Sequence, residues 1–320
     1  MKFIELFAGV GAFRLGLERT GHECVWANEW LERPRSIYAR NFGEQPDGRD
    51  IRNVSAGDIP SADLLVGGFP CATFSVAGKR TGFSLDDTRG TLAFEMFRLA
   101  RDKGIPYLLF ENVKGLLNHD GGRTFEIILE VLDGMGYDCQ WELLDSQNFG
   151  VPQHRERIFL IGHLRGESTR QIFPLGDFSK EVNNKELRQI GNIDQKGHNS
   201  LWGRVYNIDG IAPNLNANGG GMGAKTGLFA IVNDKGNFRE VEQVTCIDAN
   251  YWKGCDNHAQ RTMVSIGSPK TLIRKLTPLE CERLQGFPDN WTIGSDTQRY
   301  KQCGNAVTVN VVEYIANELS

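Results

Sequence analysis

A cysteine directly after a proline, in Gly67-Gly68-Phe69-Pro70-Cys71-Ala72-Thr73-Phe74-Ser75, is the sharpest chemical feature of the chain. It follows Asp63–Gly67 (DLLVG), a continuous apolar run that reads as a strand buried on both faces. The thiol therefore stands at the sheet edge where open α/β folds place their ligands. Most cysteines are buried and inert, and what argues against that here is the company. Glu111-Asn112-Val113 follows the next apolar run, and Gln153-His154-Arg155-Glu156-Arg157 opens a third. Cys71, Glu111, Arg155 and Arg157 are expected to converge on one cleft as nucleophile, acid and paired guanidiniums.

A second set begins at the first strand, whose end reads Phe7-Ala8-Gly9-Val10-Gly11-Ala12. Glycines at a strand-to-helix turn let a ligand approach the backbone. The spacing is not G-x-G-x-x-G, because the next glycine is Gly16. Glu29 ends the second strand, where an acid binds a ribose hydroxyl pair. Trp30 offers a flat face for adenine, and Asp50-Ile51 would meet the adenine edge. The set favours a nucleoside cofactor, and the missing third glycine points to S-adenosylmethionine rather than NAD.

These residues need a frame to hold them. Lys2–Phe7, Glu23–Ala27, Asp63–Gly67, Tyr107–Phe110 and Arg157–Gly162 read as strands. Phe13–Arg19, Thr91–Lys103 and Thr124–Leu132 have helical spacing between them. Such alternation specifies an α/β fold, an open and mostly parallel sheet with helices on both sides. From about residue 176 the pattern breaks into Gly- and Asn-rich sequence, including NANGGGMGAKTG over Asn216–Gly227. Ala306–Leu319 returns to an amphipathic helix. The expected division is a large domain of residues 1–175 and 302–320, with 176–301 inserted as a smaller domain rich in β structure and loops.

Composition narrows the classes further. At 320 residues the chain suits about two domains, and 40% apolar content supports a substantial core. No apolar run approaches the roughly 20 residues of a membrane span, and the N-terminus lacks the pattern of a secretory signal. A cytoplasmic protein without a membrane partner is expected. The net charge of -4 gives no global argument for nucleic acid, so any positive surface must be local. Seven scattered cysteines without a C-x-x-C pair oppose a disulfide framework and a zinc site, and no metal is expected.

FAGVGAFRLGLE, GGFPCATFS, ENVKGLL, GVPQHRERIFLIG, RKLTPLECERLQGFP and GNAVTVNVV together resemble, in order and spacing, the motifs of DNA (cytosine-5) methyltransferases. The resemblance spans essentially the whole chain and is nearest to the compact prokaryotic and phage enzymes of restriction–modification systems. It implies a Rossmann-like, S-adenosylmethionine-dependent catalytic domain with an inserted target-recognition domain. It implies sequence-specific methylation of cytosine C5 in double-stranded DNA, on a base flipped out of the stack. Cys71 would add to C6, Glu111 would serve the N3 and amino edge, and Arg157 with Arg155 would bind O2. Pro70, Leu92, Asn305 and Ala306 would join Phe7, Gly9, Gly11, Glu29, Trp30, Asp50 and Ile51 around the cofactor. Lys79, Arg80 and Arg89 would lie on a lid that closes on DNA. Arg204, Asn214, Asn218, Gly219 and Gly220 would fall in the recognition core, and Arg274, Lys275 and Arg283 are further candidates for phosphate contacts. The enzyme is expected to be monomeric, and a cognate restriction endonuclease is the partner such a system implies.

The chain departs from the family pattern at Ala12, Ala72, Asn214 and Ala306. Ala72 and Ala306 are small near the place of methyl transfer, which leaves two readings: neutral drift, or a pocket for an extended sulfonium donor. A tRNA cytosine-5 methyltransferase shares the catalytic set and stays an alternative, with the long recognition region favouring duplex DNA. A nicotinamide oxidoreductase lacks its glycine fingerprint here. An amino-methylating DNA enzyme would need a Pro-Pro-Tyr-like motif, and the chain has no Pro-Pro. A non-catalytic DNA-binding regulator leaves the clustered nucleophile, acid and arginines unexplained.

Overall fold

The structure is a computed structural model that describes residues 1–69, 92–167, 171–173 and 276–319. It also gives the backbone of five short strands between 189 and 275. Two compact units emerge: Met1–Leu144 with Glu156–Gly176 and Val311–Ser320, and Asp145–Arg155 with Asp177–Asn310.

The first unit is built on six strands: β1 (Lys2–Leu6), β2 (Glu23–Asn28), β3 (Leu64–Gly68), β4 (Tyr107–Val113), β5 (Tyr137–Asp145) and β6 (Glu156–Leu164). Between them run α1 (Ala12–Glu18), α2 (Glu32–Phe42), α3 (Leu92–Lys103) and α4 (Arg123–Gly134). The strand order is β2-β1-β3-β4-β6-β5. β1 pairs in parallel with β2 and β3, and β3 in parallel with β4. β6 then runs antiparallel to β4. The chain leaves β1 towards β2 and crosses back to β3 on the other side, so a topological switch point lies at β1 and β3. The expected mixed α/β fold is what forms, with one antiparallel partner in an otherwise parallel core.

Continuous apolar runs become the inner strands because both sheet faces are covered. Leu64, Leu65 and Val66 are fully buried in succession. Ile4, Leu6, Leu65, Met96, Phe97 and Leu108 share one core. β5 escaped the sequence reading. It is one of the two edge strands, and polar residues recur through Tyr137–Asp145 in place of an apolar run. Gly67 is required where β1, β3 and α3 meet. A Cβ there would lie 2.6 Å from the Leu6 carbonyl oxygen and 2.9 Å from Met96 Cε.

The last turns of α7 (Val309–Leu319) join this unit through Ile315 and Ala316, both fully buried. His22 Nε2 donates to the Ala316 carbonyl at 3.2 Å, and Arg19 pairs with Glu313 at 3.0 Å.

The second unit contains β7 (Gln189–Asn192), β8 (Arg204–Tyr206), β9 (Leu228–Phe229), β10 (Met263–Ile266) and β11 (Leu272–Lys275). β7, β8 and β9 form one small sheet and β10–β11 a two-stranded ribbon. α5 (Pro278–Leu284) begins with a capping box between Thr277 and Glu280, with proline in its first turn. α6 (Asp296–Asn305) begins with a capping box between Ser295 and Gln298. Glu282, fully buried between them, accepts from Asn290 N, Thr292 N and Arg299 Nη2, each at 2.8 Å. Among the described residues, no helix is long and apolar enough to cross a membrane.

Candidate active site

The β4–β6 register brings Glu111 and Arg157 together. Val113 stands opposite Arg157 and Glu111 opposite Phe159. Side chains alternate along a strand, so Glu111 and Arg157 are diagonal neighbours on one face. Their Nε–Oε1 separation is 3.0 Å, with side chains 6% (Arg157) and 14% (Glu111) exposed. Arg157 Nη1 also donates to the Glu156 carbonyl at 2.8 Å, which holds the guanidinium in place.

The neighbouring strand makes room for the carboxylate. Gly68 is the register partner of Glu111, and a Cβ on it would meet Glu111 Oε2 at 3.0 Å. Asn112 is buried and donates from Nδ2 to the Phe69 carbonyl at 3.0 Å, while its Oδ1 accepts from Val113 N at 2.8 Å. The residue after the acid is thereby tied to the residue before Pro70-Cys71. Pro70, Cys71, Ala72, Lys79, Arg80 and Arg89 lie outside the described residues. Lys114, unremarked in the sequence reading, donates to both oxygens of Glu156 at 2.8 Å. Its signal was its place directly after Glu111-Asn112-Val113, opposite an acid flanked by two arginines.

Arg155 has backbone partners of its own. It belongs to the second unit, is 2% exposed, and donates from Nη2 to the carbonyls of Gly304 (3.2 Å) and Ala306 (2.8 Å). Its backbone N–H donates to Asp145 Oδ1 at 2.8 Å, and the other oxygen of that carboxylate meets His154 Nδ1. Gln285 Nε2 donates to the Cys303 carbonyl at 2.6 Å, and Thr308 Oγ1 donates to Gln285 Oε1 at 2.9 Å. The turn carrying exposed Asn305 and buried Ala306 is thus held at its carbonyls by the side chains of Arg155 and Gln285.

The turn after the first strand is strained. Phe7, Gly9 and Gly11 have φ of 53°, 57° and 85°. A Cβ on Gly11 would lie 2.2 Å from the Phe42 ring, so glycine is required there on both counts. Ala8 N donates to the Asn28 carbonyl at 3.0 Å. Glu29 accepts from Gly9 N and from Leu31 N, each at 2.8 Å, joining the ends of β1 and β2. Burial pushes the Glu29 carboxyl up, against the pull of those two N–H donors. Asn28 Nδ2 holds the carbonyls of Asp47 (3.0 Å) and Arg49 (2.9 Å), which brings the following Asp50 and Ile51 to the end of β2. Arg52 beside Asp50 holds that carboxyl below its usual range. Trp30 is 58% exposed, a free face beside the acid. Leu92 opens α3 and packs against the main core. This chemistry fits a nucleoside: an acid at a strand end, an exposed indole and a glycine cradle in one unit.

Three of the four described thiols, Cys24, Cys139 and Cys303, are held in the unreactive protonated form. Burial pushes Cys24 and Cys139 up to about 12 and Cys303 higher still. Among the described residues, no group of His, Cys, Asp or Glu is arranged to hold a metal. Of the expected DNA contacts, Arg204 lies on β8 opposite Asn192, and Arg274 and Lys275 on β11. Arg283 is engaged by Asp289 at 2.7 and 2.6 Å. Asn214, Asn218, Gly219 and Gly220 lie outside the described residues.

A six-stranded mixed sheet with its switch point beside a glycine cradle defines a Rossmann-like methyltransferase fold. The DNMT2 structure from Spodoptera frugiperda shares that fold, with a TM-score of 0.64 at 19% identity over 99% of each chain. The chain belongs to the C-5 cytosine-specific DNA methylase family, whose model matches residues 1–320. It is 34% identical over 348 residues to the type II methyltransferase M.HhaI of Haemophilus parahaemolyticus, covering 99% of this chain and 93% of that one. It is 38% identical over 330 residues to the type II methyltransferase M1.ScrFI of Lactococcus lactis subsp. cremoris, covering 99% and 77%. The protein is therefore a DNA (cytosine-5) methyltransferase, related to the modification enzymes of restriction–modification systems.

Proposed function

We propose that this enzyme modifies C5 of a cytosine flipped out of a specific duplex DNA sequence, through a covalent adduct between Cys71 and C6. The observation that carries the reading is the Glu111–Arg157 pair at 3.0 Å, placed beside the strand that leads into Pro70-Cys71. Cytosine C5 is a weak nucleophile, and a thiolate added at C6 makes the ring an enamine that takes the methyl group at C5. Loss of the C5 proton to water then expels the Cys71 thiolate and restores the ring. Glu111 would accept from the exocyclic amine and relay a proton from solvent to N3 as negative charge develops there, ending the step as the carboxylate paired with Arg157. Arg157 would bind O2 and stabilise the adduct. S-adenosylmethionine supplies an electrophilic methyl group when bound. Phe7, Gly9, Gly11, Glu29, Trp30, Asp50, Ile51, Pro70 and Leu92 would hold it, with Asn305 and Ala306. Arg155, whose Nη2 is hydrogen-bonded to the Gly304 and Ala306 carbonyls, would join Arg157 at O2.

Residues 1–175 and 302–320 form the catalytic domain in this reading, and 176–301 the target-recognition domain with Arg204, Asn214, Asn218, Gly219 and Gly220. Lys79, Arg80 and Arg89 belong to the lid. In this reading the enzyme acts as a monomer in the cytoplasm of a prokaryotic host.

The test is trapping on duplex DNA with 5-fluorocytosine at the target. Wild type should form a stable covalent complex and Cys71→Ala none. Trapping of the alanine variant at wild-type yield overturns the nucleophile, and faster modification of tRNA than of duplex DNA overturns the substrate.

A further inference from the structure

The first strand buries a carboxyl group that none of the steps above uses. Glu5, on β1, is 1% exposed and lies two residues before the left-handed Phe7. Its oxygens accept from two different helices. Oε1 accepts from Arg14 N in the first turn of α1 at 3.4 Å, and Oε2 from the Tyr38 hydroxyl on α2 at 3.0 Å. The Arg14 guanidinium then donates to Glu18 (2.6 Å), Glu44 (2.8 Å) and Tyr38 (3.5 Å). Its central carbon lies 4.4 Å from the Phe42 ring centroid, the same ring that crowds Gly11. Cys24 Sγ, on β2, is 3.6 Å from the Tyr38 oxygen.

Glu5 therefore clasps both ends of the Phe7–Gly11 turn, the strand that enters it and the helix that leaves it. Two features of the turn need such a clasp. A phenylalanine in the left-handed region costs on the order of 1–3 kcal/mol and persists only where its surroundings over-determine it. Gly11 caps α1 without a side chain, so a first-turn N–H finds its acceptor in Glu5 instead. Burying a carboxyl is itself costly, and an apolar residue would satisfy a strand that only had to pack.

We infer that Glu5 is a positioning residue of the cofactor site, whose carboxyl preorganises the Phe7–Gly11 turn by joining Arg14 N to the Tyr38 hydroxyl. The inference rests on the reading of that turn as part of the S-adenosylmethionine site. Burial pushes the Glu5 carboxyl up to about 8, so at neutral pH a glutamine is close to isosteric and isoelectronic with it.

The experiment compares the full-length wild type, Glu5→Gln and Glu5→Leu by calorimetric S-adenosylmethionine binding, steady-state kinetics on duplex DNA and thermal melting. Glu5→Leu should raise Kd and KM for S-adenosylmethionine about tenfold, the worth of one lost preorganising hydrogen bond. Its kcat at saturating cofactor should stay within about twofold, with KM for DNA unchanged. Glu5→Gln should bind the cofactor as wild type does. A fall in melting temperature with unchanged cofactor affinity in Glu5→Leu overturns the inference and leaves Glu5 a packing residue. If Glu5→Leu does not fold, Tyr38→Phe decides: about threefold weaker cofactor binding supports the clasp, and unchanged binding overturns it. Failure of the wild type to bind S-adenosylmethionine would instead overturn the cofactor reading beneath it.

Discussion

The Glu111–Arg157 pair lends itself to a double-mutant cycle, with Arg157→Met and Glu111→Leu as the two edges. Two unit charges about 4 Å apart attract by about 4 kcal/mol at an effective dielectric constant of about 20. Removing one partner of a buried pair costs about 3–5 kcal/mol, because the other charge is stranded. The residual 14% exposure of Glu111 lets water reach it, so the lower end, about 3 kcal/mol for each single variant, is expected. Independent sites would then lose about 6 kcal/mol together. A coupling of about 2–3 kcal/mol, typical of residues in contact, leaves the double variant only about 3–4 kcal/mol less stable than wild type. Urea titration with a shared m-value measures all four corners. Turnover separates pairing from chemistry. Each single variant should lose about 10²–10⁴ in methyl transfer, and the double variant should recover none of it. A coupling below about 0.5 kcal/mol would refute the ion pair, and recovered turnover would refute the catalytic roles.

Two further outcomes follow from packing and burial. Gly67→Ala would drive a methyl group to 2.6 Å from the Leu6 carbonyl, and a loss of about 1–3 kcal/mol in urea titration is expected; wild-type stability would show that β1 and β3 are farther apart. The Glu5 carboxyl, at about 8 in the folded chain against an ordinary 4.5, keeps its proton where the unfolded chain has released it. Its contribution is complete below about 4.5 and is lost as pH rises through about 8, at most about 5 kcal/mol over that window. Glu5→Gln should flatten the pH dependence of the urea midpoint between pH 5 and about 8, and an unchanged slope would contradict the burial of that group.

Much of the catalytic unit was legible from the chain itself. Leu64-Leu65-Val66 and Tyr107–Phe110 announced inner strands because a strand covered on both faces needs apolar residues at consecutive positions. Phe7–Gly11 announced a strand-to-helix turn because positive φ and the close approach of Phe42 leave glycine no substitute. Motif order named the family, which the match over residues 1–320 bears out.

Neighbourhood belonged to the tertiary structure. Periodicity says which face a side chain takes, while its partner is set by register between distant strands. Glu111 and Arg157 meet because β6 runs antiparallel to β4 with Val113 opposite Arg157. A shift of one residue would turn Arg157 to the other face. Arg155, two positions earlier in the sequence, is directed to the Gly304–Ala306 backbone by contacts that no local pattern encodes. The edge strand β5 was hidden because a strand with water on one side keeps polar residues. Glu5 gave no signal, since an acid in an apolar strand declares itself only when Arg14 N and Tyr38 are folded against it. Sequence determined the inner strands, the helices between them and the motifs they carry. The fold decided which charges share a face and which are spent on backbone carbonyls, because those energies depend on distance through space and not along the chain.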